Sequence, residues 1–166
     1  MLLGLLTLTH AQSDSASSVP DAIRAPAGDK VVLRAHASGV QIYVCQADSN
    51  GTLAWTLKAP EAELHDGSGK TIGRHYAGPS WRLEDGSQVT GQLVAKAEAP
   101  GSAAIPWLLV NVTAHSGNGT LSSVTSIQRI NTRGGKPPAT GCDASHRGSE
   151  TRSSYEADYN FYAPAP

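Results

Sequence analysis

Charged residues are scarce in this sequence, and neither sign prevails. Asp, Glu, Lys and Arg make up 16% of the 166 residues, and the formal net charge at pH 7 is -1. The chain therefore lacks the basic stripe with which a nucleic-acid-binding surface neutralises phosphates. Its densest basic stretch, from Arg129 to Arg152, also contains Asp143 and Glu150, so we interpret it as ordinary solvated surface. We expect no nucleic-acid partner.

Long hydrophobic runs are also missing. A helix that spans a bilayer needs about 20 apolar residues, and the apolar run at residues 1–11 is shorter than that. This run ends in Thr9-His10-Ala11, a small-x-small pattern that predicts a signal peptide at residues 1–11. Because no basic segment precedes the run, we expect this signal peptide to be truncated. The sequence thus predicts an exported protein, periplasmic or secreted, without a membrane span.

Cysteine occurs only as Cys45 and Cys142. In an exported chain two cysteines usually form a disulfide, whereas a cytosolic enzyme more often keeps them as thiols. We therefore predict a bridge between Cys45 and Cys142 that joins an early strand to the C-terminal region. The alternative is a pair of buried thiols that never meet.

No segment carries the apolar stripe of period 3.6 that marks an amphipathic helix. Instead, 17 Gly and 10 Pro separate short segments of alternating polarity, a composition typical of strands joined by tight turns. The predicted strands are residues 31–37, 40–45, 53–57, 62–65, 71–76, 80–83, 89–97, 105–112, 123–130 and 155–162. We predict an all-β fold, a single-domain antiparallel β-sandwich, with a barrel as the alternative.

The length of the chain allows one core, because domains usually run to roughly 100–150 residues. Residues 12–29 are rich in Ser, Ala, Pro and Asp, which predicts a flexible leader. The single β domain is predicted at residues 30–166.

Two local patterns refine this prediction. Ser38-Gly39 interrupts the first alternating run and predicts a hairpin turn there. Residues 105–112 are apolar on both faces, which favours a central strand.

Because the chain has a single phenylalanine, we expect two of its three tryptophans to lie in the core. The tryptophans are Trp55, Trp81 and Trp107.

Motifs that specify a reaction are absent. The sequence has no Gly-x-Ser-x-Gly elbow, no phosphate-binding Gly-rich loop and no Cys/His pattern with zinc-ligand spacing. The leading prediction is therefore a non-enzymatic binding or envelope module outside the cytoplasm. Two alternatives stay open: a small metal-dependent or hydrolytic enzyme that uses the region around His75, and a structural or self-assembling surface protein.

The segment from Gly73 to Trp81 is the richest in side chains that recognise ligands. Arginine supplies a planar fork of donors, histidine titrates near neutral pH, and tyrosine and tryptophan present flat faces to a glycan or an aromatic molecule. The alternative is a turn at Gly78-Pro79 flanked by core aromatics. The predicted residues for binding a small molecule or glycan are Arg74, His75, Tyr76 and Trp81.

A second candidate site combines carboxylates with imidazoles. Glu61, Glu63 and His65 alternate with apolar residues, so on a strand they would share one face, and His75 follows on the next segment. These four side chains could hold a divalent metal, or act as acid and base, if neighbouring strands bring them together. The alternative is the solvated face of a strand.

Six short motifs occur in the same order in an uncharacterised family of exported bacterial and fungal proteins. They are IYVCQ at 42–46, KAPEA at 58–62, GRHYAGP at 73–79, IPWL at 105–108, IQRINT at 127–132 and GCD at 141–143. From about Pro20 to Tyr162 the chain resembles this family, domain of unknown function 3455. The resemblance implies export and a shared fold, and it supplies no catalytic residues.

Overall fold

The computed structural model describes residues 18–166. Each of its eight antiparallel strands pairs with the next along the chain, and the last pairs with the first, so the sheet closes into a ring. The strands are β1 (Asp29–Ala47), β2 (Leu53–His65), β3 (Thr71–Tyr76), β4 (Ser80–Leu83), β5 (Gln88–Ala97), β6 (Trp107–Ser116), β7 (Ser126–Gly134) and β8 (Glu150–Pro164). The all-β prediction is confirmed, and the closed ring corresponds to its barrel form. The predicted signal peptide and residues 12–17 lie outside the described residues.

β1 continues through Ser38 and Gly39, so the predicted hairpin turn at this position is wrong. Gly39 pairs with Ala62 of β2 and with Tyr155 of β8. A Cβ on Gly39 would lie 2.1 Å from the Glu61 carbonyl oxygen and 2.5 Å from the Ala62 Cα atom. The glycine therefore permits a close approach of β1 to β2 that lets this long strand coil around the ring.

One end of the ring is closed by the loop between β6 and β7. This loop forms a short 3-10 helix, Thr120–Ser123, whose Leu121 is fully buried in the core cluster of the ring. Asp85 fixes the loop by accepting a hydrogen bond from the Thr120 backbone nitrogen at 2.8 Å. The largest fully buried side chains of the same core cluster are Trp81, Tyr159 and Phe161.

The outer face of β6 is also covered. Trp107 and Leu109 form a second apolar cluster with Ile23, which is fully buried although it lies in the stretch predicted as a flexible leader. The Gln128 side-chain nitrogen donates to the Ile23 carbonyl at 2.8 Å and holds the segment against the sheet. The first four residues of β6, Trp107 to Val110, are therefore covered on both faces, as the sequence predicts for this part of the strand. Trp81 and Trp107 are buried, which confirms the expected two core tryptophans.

Helices play little part in the described residues. They are three 3-10 turns, Asp21–Ile23, Thr120–Ser123 and Ala144–His146. None is long and apolar enough to cross a membrane.

The predicted disulfide is confirmed, since Cys45 and Cys142 are bonded with their Cα atoms 5.3 Å apart. It joins the end of β1 to the loop between β7 and β8, across 97 residues of chain. The Cys45 backbone nitrogen also donates to the Ser149 carbonyl at 2.9 Å. Trp55 Nε1 donates to the Thr140 carbonyl at 2.9 Å. The loop is thereby fixed against β1 and β2.

Candidate functional site

The predicted metal ligands are divided between the two faces of the sheet. Ala62 pairs with His75, and both are buried inside the ring. Because side chains alternate along a strand, Glu61, Glu63 and His65 lie on the outer face, where both glutamates are exposed. The structure does not bring His75 together with the other three. Across residues 18–166, no three or more His, Cys, Asp or Glu side chains are grouped so that they could hold a metal ion.

The predicted ligand-binding residues are divided in the same way. Arg74 and Tyr76 face a wide groove on the outer surface of β1 to β4 that is open to solvent. His75 and Trp81 face inward and are 3% and 1% exposed. The charged residues of the outer groove are Glu61, Glu63, Arg74, Arg82 and Glu84. The sequence thus identified two residues of the interior and two of the outer surface.

A cavity of about 300 Å³ opens into the interior at the turn between β3 and β4. The sheet is narrowest along the strand direction at this turn, because β3 and β4 have six and four residues. By comparison, β1 and β2 have 19 and 13. Leu57 and Leu93, each 52% exposed, flank the opening. Further in, the wall is mostly apolar, with Pro60, Leu108 and Val110 among its residues. The cavity is therefore an apolar recess with one open side.

Three rings in mutual contact give the cavity a rigid inner surface. His75 and Trp81 are parallel, with ring centroids 4.4 Å apart and an interplanar angle of 10°. Tyr159 meets both rings edge-on, at 5.2 Å from His75 and 5.7 Å from Trp81. Such contacts add to the stability gained from burial and restrict each side chain to one orientation.

His75 is held in a neutral form. Its Nδ1 lies 2.9 Å from the Ser80 carbonyl, which can only accept, so Nδ1 carries the proton and Nε2 is an acceptor. Burial lowers the pKa of His75 to about 4, the Ser80 hydrogen bond works against this, and the positive charge of Arg129 lowers it further. At neutral pH the imidazole contributes no charge to the cavity.

Arg129 is the one buried cation of the cavity wall. It is 8% exposed, so its assignment to solvated surface is wrong. Its Nε and Nη2 donate to the Pro106 carbonyl at 3.2 and 2.7 Å. No carboxylate of the described residues lies within 4.0 Å of the guanidinium. Burying a charge without an ionic partner costs free energy. The burial of Arg129 therefore requires a compensating interaction that the described residues do not supply as an ion pair.

Three further polar atoms of the cavity residues are buried without a hydrogen-bond partner in the protein. They are Gln41 Oε1, Trp81 Nε1 and the Tyr159 hydroxyl. Burial raises the pKa of Tyr159, with Arg129 acting in the opposite direction, so the hydroxyl keeps its proton and remains a donor. A buried polar atom without a partner costs about 1–3 kcal/mol. Several residues with such atoms in the lining of one cavity are typical of a ligand site.

The sequence did not identify Gln41, Arg129 and Tyr159 as site residues. The signal that could have found Arg129 is its position two residues after Ile127, which places both side chains on the same face of β7. Gln41 has the same relation to Tyr43 on β1, and both are buried. A polar residue that points inward from an apolar strand face is a candidate for binding a ligand.

Residues 26–163 match the family described as "Protein of unknown function (DUF3455)". The chain belongs to this family. The match covers β1 to β8 almost completely, and it confirms the DUF3455 resemblance noted in the sequence. No curated protein and no solved structure matches the chain. The description of the DUF3455 family names no activity, so any function must be argued from the geometry of the cavity.

Proposed function

We propose that this DUF3455 protein is an exported, non-enzymatic binding module that holds a small, largely apolar molecule inside the ring. The observation that carries the proposal is the one-sided apolar cavity, whose lining residues include a buried cation and three side chains that each carry an unpartnered buried polar atom. Ligand pockets typically enclose roughly 300–1,000 Å³ and pair apolar walls with a few polar groups. The cavity has this composition and lies at the lower end of this size range.

The polar groups of the cavity favour binding over turnover. The Ser80 carbonyl fixes His75 Nδ1, and the Pro106 carbonyl fixes two nitrogens of Arg129. A general base works best when its pKa lies near the operating pH, and burial takes the pKa of His75 to about 4. These groups are suited to hold a ligand in one orientation.

Export is part of the proposal. The disulfide between Cys45 and Cys142 supports it, since such bonds persist mainly in oxidising compartments. The apolar run at residues 1–11 supports it independently through its resemblance to a signal peptide.

Isothermal titration calorimetry with octanol, a neutral apolar ligand small enough for a cavity of about 300 Å³, tests the binding function. We expect saturable binding with one octanol molecule per chain. Ala77→Trp should weaken it at least tenfold, because Ala77 lines the cavity beside its opening and an indole would fill that space. Ala54→Trp is the matched control, since Ala54 is an exposed alanine of β2 outside the cavity. Absence of saturable binding, or equal affinity in the Ala77 variant, would contradict the proposal.

A further inference from the structure

We infer that the ligand is an organic monocarboxylate, an acid with a short alkyl chain or a single aromatic ring, whose carboxylate pairs with Arg129. This inference rests on the binding function proposed above. It adds the chemical class of the ligand and the residue that recognises its head group.

The charge of the cavity carries the first step. Arg129 is 8% exposed and bonded to a neutral carbonyl, and no described carboxylate lies within 4.0 Å of it. Arginine does not escape this cost by losing its proton, because its guanidinium stays charged in proteins. A ligand that brings a negative charge supplies the missing ionic partner.

The other lining residues strengthen the preference for an anion. The cavity lining contains two cationic side chains, Lys58 and Arg129, and no Asp or Glu. Lys58 lies at the exposed rim, where it forms an ion pair with Glu150. His75 is neutral at pH 7, because burial lowers its pKa to about 4. One uncompensated positive charge is therefore left inside, which matches a monoanion better than a phosphate dianion.

Hydrogen-bond donors make the second step. Trp81 Nε1 is an obligatory donor, and the Tyr159 hydroxyl keeps its proton because burial raises its pKa. Neither atom has a hydrogen-bond partner within 3.5 Å in the protein, and the Tyr159 hydroxyl interacts more loosely with Tyr155 and Arg129. A carboxylate is an acceptor with two oxygens, so it can accept from such donors and from the guanidinium at the same time. An alcohol or an ester would leave the charge of Arg129 without a counterion.

The apolar wall and the opening define the rest of the ligand. Leu57 and Leu93 at the opening are each 52% exposed, and they continue the apolar surface of the cavity toward solvent. A volume of about 300 Å³ admits one ring or a short chain, whose far end would meet these two leucines. The head group would lie inside and the tail would point to the opening.

Isothermal titration calorimetry at pH 7 with octanoate, octanol and octyl phosphate tests this inference on the oxidised wild-type chain. We expect octanoate to bind roughly 10- to 100-fold more tightly than octanol, the ratio for a hydrogen-bonded charge pair. Octyl phosphate should bind more weakly than octanoate. Arg129→Gln should remove the preference for the acid, so that the affinities for octanoate and octanol differ by no more than about threefold. Arg133→Gln, on the exposed end of the same strand, is the control and should retain the preference.

Each result separates this inference from the binding function. Equal binding of octanoate and octanol by the wild type would overturn the carboxylate assignment while leaving an apolar ligand site. Preference for octyl phosphate would overturn the monoanion. If none of the three ligands binds, both proposals fail. The comparison of ligands on the wild type keeps the test decisive even if circular dichroism shows that the Arg129 variant does not fold.

Discussion

His75 shows how one residue links the cavity to the stability of the whole fold. Its imidazole is 3% exposed and stacked on Trp81. Burial lowers its pKa from 6.5 to about 4 in the folded protein. In the unfolded chain the same imidazole is solvated, so it takes up a proton at higher pH than the folded protein does. Acid therefore favours the unfolded state.

We predict that the free energy of unfolding falls as the pH drops from 6.5 to 4. The loss due to His75 should reach the order of 3 kcal/mol by pH 4 and should vanish above about pH 7.5, where the imidazole is neutral in both states. Hydrogen bonds hold the pKa values of Asp85 and Asp143 below their usual range, so their own losses come at more acid pH. Urea unfolding at several pH values measures the slope.

The variant His75→Gln assigns this pH dependence. It should flatten the slope between pH 6.5 and 4, whatever it does to stability at pH 7. An unchanged slope in the His75 variant would show that another group is responsible.

The site was only partly predictable because two interpretations of polar residues compete. The Gly73 to Trp81 segment stood out because its aromatic and imidazole side chains are rare in this chain, and two of them do line the cavity. Arg129 was wrongly assigned to the solvated surface. Its neighbours Gln128 and Ile130, one polar and one apolar, do not show which face of β7 points inward. Gln128 is buried as well, under the segment that contains Ile23. Because the segment that covers Gln128 is distant in sequence, the residues around Gln128 do not predict its burial.

At the scale of elements, short strands were easier to predict than long ones. The bounds of β3 and β4 agree with the prediction, because Asp-Gly and Gly-Pro turns separate them from their neighbours. β1 and β2 were each divided in two. In β1 the reason is Gly39, which local rules assign to a turn although it marks a close approach between strands. Only the position of β2 in the structure shows that Gly39 marks a close approach between strands and not a turn.

We predict that Gly39→Ala destabilises the fold by at least about 3 kcal/mol, the upper end of ordinary overpacking costs. The added methyl group would lie 2.1 Å from the Glu61 carbonyl oxygen, and backbone atoms cannot move aside as a flexible side chain can. Denaturant midpoints at constant m-value measure the change. Gly67→Ala is the control, because a Cβ there has nothing within 4 Å, and its effect should stay within about 1 kcal/mol. Equal effects of the two variants would rule out the proposed close approach.

The disulfide acts at the scale of the whole molecule, because it spans 97 residues and joins the first strand to the last loop. In the chain-entropy model a closed loop of that length contributes about 4–5 kcal/mol, and measured values often fall below this. We predict that Cys45→Ala combined with Cys142→Ala lowers the free energy of unfolding by roughly 2–5 kcal/mol. The far-UV circular dichroism spectrum should be retained, since eight strands remain paired around the ring.

Guanidinium unfolding of the oxidised wild type, the reduced wild type and the double variant tests this prediction. The reduced protein and the variant should have the same midpoint, below that of the oxidised protein. A variant as stable as the oxidised wild type would mean that the hydrogen bonds of Cys45 and Trp55 to the loop are sufficient.

The pairing of β1 with β8 determines when the folding chain no longer exposes unpaired sheet edges to other chains. It pairs residues far apart in sequence, such as Ala35 with Tyr159, whereas every other strand pairs only with its neighbours along the chain. A chain synthesised from its N-terminus therefore carries two unpaired sheet edges until the 15 residues of β8 arrive. During that interval, aggregation and strand exchange with a second copy compete with closure. The last strand made is the one that ends this exposure.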